Sequence, residues 1–347
     1  MSIFITVAIT FLVLMIVYQI AQASEYAASL RGTERERQKK TNKTMATLLV
    51  LFFLSGLYAI WLCHDTLKGQ LMLTSASKEG EAYDSMFLVT IIVTGIVFFI
   101  THVLLFWFAF KYKSTDDTKS SYFLAHNNKL ELIWTTVPAI VMAVLVAIGL
   151  RNWMNITSAA PANAAVIEVI GKQFNWIIRY PGKDNVFGKR NFRDINDATN
   201  ILGINEKDPA SADDIVAQNG EIHMVVGKPI KFIIGSRDVI HDVGLPHFRL
   251  KMDAVPGITT TMWFTPTITS AKMKEMTKNP NFVYELSCDQ MCGKGHYSMR
   301  GTLIVETQEE YDAWLAKQTA YFAPAAVPAS PVADSTKKST EAPVAKN

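Results

Sequence analysis

The feature that most limits how this 347-residue chain can fold is a set of four long uncharged apolar stretches in its first 150 residues. They run near Ser2–Ala23, Met45–Cys63, Met86–Phe110 and Leu132–Leu150. Each is close to the length of about 20 residues that a helix needs to cross a bilayer. The segment 24–43 carries Arg31, Arg35, Arg37, Lys39, Lys40 and Lys43, and 111–131 carries Lys111, Lys113 and Lys119. Basic connections stay on the cytoplasmic side. Both segments therefore predict the same topology: a multi-pass protein with four spans and both chain ends outside. The first stretch has no positive residues before it and basic ones after it, so it reads as a retained helix rather than a cleaved signal peptide.

The remaining chain changes character. Residues 64–85 form a loop of mixed charge on the outer side, and 152–165 is a small-residue linker. Pro138 inside the fourth span predicts a slight kink. From Ala165 onward short β-branched and aromatic runs alternate with Gly and Pro, as in AVIEVIGKQFNWIIRY, EIHMVVGKPIKFIIGSRDVIH, GITTTMWFTPT, FVYELSC and MRGTLIVET. This pattern predicts an all-β Greek-key barrel or sandwich over 160–318, closed by a short helix at 308–318. Residues 319–347 are rich in Ala, Pro, Ser and Lys and predict a disordered tail. The net charge of +3 gives no reason to expect nucleic acid as a partner. No C-x-x-C-H occurs, so no attached c-type haem is expected.

Chemistry concentrates in CDQMCGKGHYSM, residues 288–299. Two of the chain's three cysteines lie here, Cys288 and Cys292, followed by His296 and Met299; His241 ends the upstream SRDVIH. Cys63 stands alone near the end of an apolar run and reads as a plain buried thiol. Two thiolates, two imidazoles and a thioether form the soft donor set that copper prefers. Because strand signals flank the loop, its ligands are held at both ends. A Cys288–Cys292 disulfide leaves His296 and Met299 without a role. A Cys2His2 zinc site leaves out the methionine. A mononuclear copper site of the His2Cys type leaves one cysteine spare. A binuclear copper centre uses the whole set, and it implies one-electron transfer rather than bond-making catalysis.

Together with KLELIWTTVPA, GKQFNW and SRDVIHDVGLPHFRLKMDAVPG, this loop resembles cytochrome c oxidase subunit II, the subunit that carries the CuA centre; the resemblance spans roughly residues 86–316. It implies a transmembrane hairpin over 86–151 and a cupredoxin-like domain on the periplasmic side of a bacterial inner membrane. By resemblance, Cys288 and Cys292 bridge two coppers. His241 and Met299 complete one, and His296 with the backbone carbonyl of Gln290 completes the other. The implied partners are subunit I, the other oxidase subunits, and a c-type cytochrome or cytochrome domain as electron donor. In an aa3-type haem–copper oxidase the electrons then reach haem in subunit I, where oxygen is reduced and protons are pumped. Glu131, in LELIW, matches the family's residue at the mouth of the K proton pathway; an interfacial anchor is the plainer reading. Phe174 and Trp176 match the aromatic run through which electrons enter.

The chain also departs from the family. Gln290 replaces a Glu whose carboxylate helps hold a Mg or Mn ion at the boundary with subunit I, and a neutral amide weakens that site. Phe174 stands where Trp is usual. Asp242 and Val243 replace Ser-Trp. A lysine-rich insert, AKMKEMTK, lengthens the segment between His241 and Cys288. Two additional spans over 1–63 precede the hairpin and offer a docking site for another respiratory complex. Asp253 reads as a turn residue or a tuner of the metal ligands, His247 as a surface or interface histidine, and His102 as part of a helix–helix contact. The rival in another class is a membrane-anchored copper-binding or copper-delivery protein, which has no use for an acid at the membrane edge such as Glu131.

Overall fold

The computed structural model describes residues 2–67, 73–114 and 125–322, which fall into a helical unit and a β unit. The helical unit holds four helices, α1 (Ser2–Leu30), α2 (Glu34–Leu67), α3 (Lys78–Lys111) and α4 (Asn128–Thr157). All four are long and apolar enough to cross a membrane. Each extends past the apolar stretch that predicts it. The basic segment 24–43 is therefore mostly helix, and the connection shrinks to a turn at Arg31–Thr33. Arg37 closes this hairpin by donating to Ser24 Oγ at 3.1 Å and to the Ala21 carbonyl at 2.9 Å. Asn42 Nδ2 donates to the Ser114 carbonyl at 2.9 Å, so both basic connections lie at one end of the unit. Between α2 and α3, Phe53 stacks on Phe106 with centroids 4.6 Å apart. His102 packs against Phe98 on its own helix and stacks at 6.1 Å on Phe53, so it sits at a helix–helix contact.

The start of α3 is a built N-terminus. Ser77 accepts from the Gly80 N–H and donates to the Phe248 carbonyl at 2.7 Å. The short segment His247–Leu250 belongs to this unit. Its Arg249 pairs with Asp84 at 2.7 Å. The residues before Lys78, expected as outer loop, are thus buried at Ser75, Ala76 and Ser77.

The β unit contains two five-stranded sheets. The first joins β1 (Ala165–Lys172), β2 (Asn175–Tyr180), β3 (Ile215–Ala217), β5 (Ile230–Ser236) and β8 (Thr260–Phe264) in the order β3-β2-β1-β5-β8. The second joins β4 (Glu221–Val225), β6 (His241–Leu245), β7 (Leu250–Ala254), β9 (Tyr284–Cys288) and β10 (Arg300–Glu306) in the order β4-β10-β9-β6-β7. Strands β1 and β5 run parallel, as do β4 and β10, whereas β1–β2, β2–β3, β5–β8, β6–β9 and β9–β10 pair antiparallel. Fully buried Ile167, Trp176, Ile178, Phe232, Phe264, Ile222, Val243 and Leu286 form the core. This is the mixed two-sheet form of a cupredoxin-like domain.

Two additions elaborate it. The lysine-rich insert becomes α5 (Ser270–Thr277), capped by the Thr269 hydroxyl and stopped by Lys278 in the left-handed region at φ 54°. Its Met273 is buried while its lysines face out, which explains why an insert of such charge is tolerated. The excursion over 181–214 is fastened by Arg179, which is fully buried. Its guanidinium meets Glu168 at 3.2 Å, the Gly188 carbonyl at 2.6 Å and the Asp214 carboxylate. Arg190 reaches the other Glu168 oxygen at 2.9 Å. The terminal helix is α6 (Gln308–Leu315), with a capping box between Thr307 and Glu310.

One boundary is corrected. The composition of the C-terminal segment places Tyr321 and Phe322 in the tail, yet both pack on a cluster of Ile170, Ile177, Ile201, Leu202 and Ile204. Tyr321 also donates its N–H to the Asp214 carbonyl at 2.7 Å and accepts from the Ile201 N–H at 3.0 Å. Two aromatic residues outweigh the polar composition around them. The rest of the tail, 323–347, lies outside the described residues.

Candidate metal centre

Strand register brings the soft donors together. Val243 lies opposite Cys288 and Gly244 opposite Ser287 in the antiparallel β6–β9 pair, so His241 at the start of β6 and Cys288 at the end of β9 share one edge. Strand β10 pairs with β9 through Arg300 and Ser287, so the loop between them returns to the same edge with Cys292, His296 and Met299. A Cβ on Gly171 would come within 2.6 Å of the His241 ring, so glycine is what leaves the imidazole its place.

The resulting geometry is close. His241, Cys288 and Cys292 are buried, and their ligand atoms all lie within 4.8 Å of one another. The two Sγ atoms are 3.7 Å apart. A disulfide needs about 2.05 Å, so these are free thiols. His241 Nδ1 is 3.8 Å from Cys288 Sγ, and His296 Nδ1 is 3.7 Å from Cys292 Sγ. Met299 Sδ, fully buried, is 3.9 Å from Cys292 Sγ. The Gln290 carbonyl oxygen is 3.3 Å from Cys288 Sγ. Every predicted ligand atom is thus gathered around the two sulfurs. One tetrahedral zinc takes four ligands; the two thiols and the four donors around them exceed what it can use, and their softness suits copper. Burial and the neighbouring Cys288 push the Cys292 thiol up to about 11, so without metal it holds its proton at neutral pH.

A second group of residues orders the first, and sequence reasoning passed over it. Asp238, inside SRDVIH, accepts from His241 Nε2 at 2.9 Å and from the Gln173 backbone N–H at 2.7 Å. Burial alone raises the Asp238 carboxyl, but hydrogen bonds from Gln173, His241 and Val239 together outweigh it and hold it below its ordinary value. An ionised Asp238 only accepts, so His241 carries its proton on Nε2 and turns Nδ1 toward Cys288. Gln173 Nε2 in turn donates to the Cys292 carbonyl at 2.7 Å. The i, i+3 spacing of Asp238 and His241 is the signal that the sequence offered.

The aromatic pair divides. Phe174 is 39% exposed and its ring lies over Gly293 and Gly295 of the ligand loop, where any Cβ would collide with it. Trp176 is fully buried beside His241. Only Phe174 of the pair reaches the surface, because it lies in the turn before β2, whereas Trp176 lies within the strand, where residues 176–180 are all buried. Met291 and Tyr297 of the ligand loop are exposed as well. Asp242 is buried and faces Asp253 and Asp289. Burial first, then these two carboxylates, push its carboxyl up to about 7.

Elsewhere, Glu131 is exposed at the first turn of α4. Its Oε1 accepts from the Asn127 N–H at 3.3 Å, while Asn127 Oδ1 accepts from Leu130. It therefore acts as a helix-capping acid in the described structure. His247 lies in the segment that packs with the helical unit and not among the metal donors.

The molecule so described is a membrane-embedded helical unit and a cupredoxin-like domain with a thiol-rich donor cluster compatible with copper. Known proteins agree with this class. Residues 66–151 match the family model for the cytochrome c oxidase subunit II transmembrane domain, and 165–307 match that for its periplasmic domain. The alternative cytochrome c oxidase subunit 2 of Bradyrhizobium diazoefficiens is 35% identical over 235 residues, covering 67% of this chain and 79% of that one. Cytochrome c oxidase subunit 2 of Thermostichus vulcanus is 30% identical over 149 residues, covering 43% of this chain and 32% of that one. Among solved structures, the periplasmic domain of subunit II of cytochrome oxidase (CoxB) of Bradyrhizobium japonicum is similar at 26% identity and TM-score 0.31, covering 46% of this chain and 95% of that one. The chain belongs to the cytochrome c oxidase subunit II family. It is a membrane subunit of an oxidoreductase complex, with an extracytoplasmic β domain and subunit I as its partner. Residues 1–65, with α1 and most of α2, lie outside both family models.

Proposed function

We propose that this chain is the electron-receiving subunit of an aa3-type haem–copper oxidase in a bacterial inner membrane. Its donor is a c-type cytochrome or cytochrome domain on the periplasmic side, and its acceptor is haem in subunit I. The observation that carries this reading is the buried group of His241, Cys288 and Cys292 with ligand atoms within 4.8 Å, completed by His296, Met299 and the Gln290 carbonyl. Two coppers held there would supply a reversible one-electron carrier. In this reading Cys288 and Cys292 would hold the pair through their thiolates, and His241 with Met299, and His296 with the Gln290 carbonyl, would complete the donor set.

The chain's own residues do the positioning. The β6–β9 and β9–β10 registers fix both ends of the ligand loop, so little moves when charge changes. Phe174, packed on the loop and open to solvent, is the electron entry point. Glu131 serves the proton path at the start of α4 in addition to capping it. Gln290 offers a neutral amide, which disfavours a Mg or Mn ion at the boundary with subunit I. Residues 1–63 form the additional spans, 86–151 the family hairpin and 160–318 the copper domain, with both termini outside.

Metal analysis and electron paramagnetic resonance of the purified oxidase test the reading. The expected result is a copper pair in this subunit with one unpaired electron shared over both ions. A single copper with an ordinary mononuclear spectrum, or bound zinc, would overturn it.

A further inference from the structure

Gln173 sits on the turn between β1 and β2, in the first sheet, whereas the metal donors belong to the second sheet and its loops. From there it touches both halves of the donor set. Its side-chain Nε2 donates to the Cys292 carbonyl at 2.7 Å, and its backbone N–H donates to Asp238 Oδ2 at 2.7 Å. Asp238 Oδ1 receives the His241 Nε2 proton at 2.9 Å. The sequence of contacts runs His241, Asp238, Gln173, Cys292, and it closes through Cys288, whose Sγ lies 3.7 Å from Cys292 Sγ and 3.8 Å from His241 Nδ1.

The loop is shaped to receive this amide. Gly293 follows Cys292 with φ +131°, and a Cβ there would stand 2.9 Å from Gln173 Nε2. Gly295 likewise leaves room for the Phe174 ring. Gln173 is exposed, so its amide is free to bond water instead; it points into the loop nonetheless. The segment 289–295 has few other restraints. Its main-chain bonds run from the Asp289 N–H to the Asp242 carbonyl at 3.4 Å, from the His296 N–H to the Gly293 carbonyl at 3.1 Å and from the Ser298 N–H to the Gly295 carbonyl at 3.1 Å.

We propose that Gln173 is a positioning residue of the metal centre, tying the Cys292 main chain to the Asp238–His241 pair and tuning the reduction potential of the bound copper. The inference rests on the copper reading above. Its direction follows from electrostatics. The positive end of the Nε2–H dipole points at the Cys292 carbonyl, beside the thiolates, and so favours the reduced, more negative form of the centre. Removing it favours the oxidised form.

The test is spectroelectrochemical titration and electron paramagnetic resonance of the intact oxidase, without its electron donor, comparing the unmodified protein with Gln173→Leu and Gln173→Met. Both variants keep an exposed side chain of similar length and lose the donor. The expected result is full copper content, altered copper hyperfine lines and a lower potential, with the equilibrium constant for reduction falling about fivefold, the effect of one net hydrogen bond. A merely structural role predicts something else: less copper bound, but an unchanged potential in the fraction that is loaded. That outcome, or an unchanged potential and spectrum at full loading, overturns the proposal while leaving the copper reading in place. An unmodified oxidase without the shared-electron spectrum removes both.

Discussion

Trp176 stands edge-on to His241, with ring centroids 5.9 Å apart and an interplanar angle of 62°, and its indole is fully buried. The tryptophan therefore supports a metal donor from behind, while Phe174, two residues earlier, faces solvent over the ligand loop. Replacing each residue separates the two roles. Phe174→Ala should lower the second-order rate of reduction by the donor about tenfold, equivalent to about 1.4 kcal/mol, with the copper spectrum retained. Trp176→Ala should leave a cavity costing about 3–5 kcal/mol and perturb the His241 hyperfine lines. Stopped-flow reduction and thermal unfolding read the two effects. A loss of donor reactivity with Trp176→Phe at full copper loading would contradict this division.

Copper uptake should depend on pH. Burial and Cys288 hold the Cys292 thiol near 11, so binding at neutral pH displaces a proton from it. The apparent affinity should rise about tenfold per pH unit for each proton displaced. Competition with a chelator between about pH 6 and about pH 8 measures the slope. A flat profile would show that the thiols are already ionised before metal arrives. Cys292→Ser should leave at most one copper per chain, because the second bridging sulfur is gone.

Asp242 should cost stability at neutral pH. Its folded-state carboxyl is raised to about 7 from 3.8, first by burial and then by Asp253 and Asp289. The folded protein keeps this proton over a range in which the unfolded chain has released it. The cost is absent below the unfolded value, grows as pH rises past it, and is complete above the folded value. Asp242→Asn should therefore raise the unfolding temperature at about pH 8 and leave it unchanged near pH 4. Equal gains at both values would rule out a titrating cause.

Arg179 tests the attachment of the 181–214 excursion. It is 1% exposed and holds Glu168 and Asp214, both buried. Arg179→Met should cost about 3–5 kcal/mol, because two buried carboxylates lose their partner. Proteolysis should then cut first within 181–214. Unaltered resistance there would place the restraint elsewhere, for instance in the Tyr321 contacts.

The sequence by itself determined the parts whose signal is local. Four uncharged runs of membrane-spanning length specify four helices whatever surrounds them, and the basic residues between them orient the unit. The spacing of Cys288, Cys292, His296 and Met299 within one loop already limited the chemistry to a soft metal, because such donors rarely share one short segment for another reason. Glycine and proline punctuation marked most strands, and the segment 308–318 read as the last helix. Tertiary structure decided whatever depends on register and on facing. The β6–β9 pairing, set by which residues lie opposite one another across 40-odd intervening positions, brings His241 to Cys288. The placement of Trp176 inside β2 buried it in the core, while Phe174, in the turn before the strand, stayed outside, a difference that composition does not carry. The contacts of Gln173 and Asp238, the burial of Asp242 against two other carboxylates and the docking of Tyr321 are long-range as well. Each depends on where distant backbone lies in space, and a linear pattern holds no record of that until the sheets have formed.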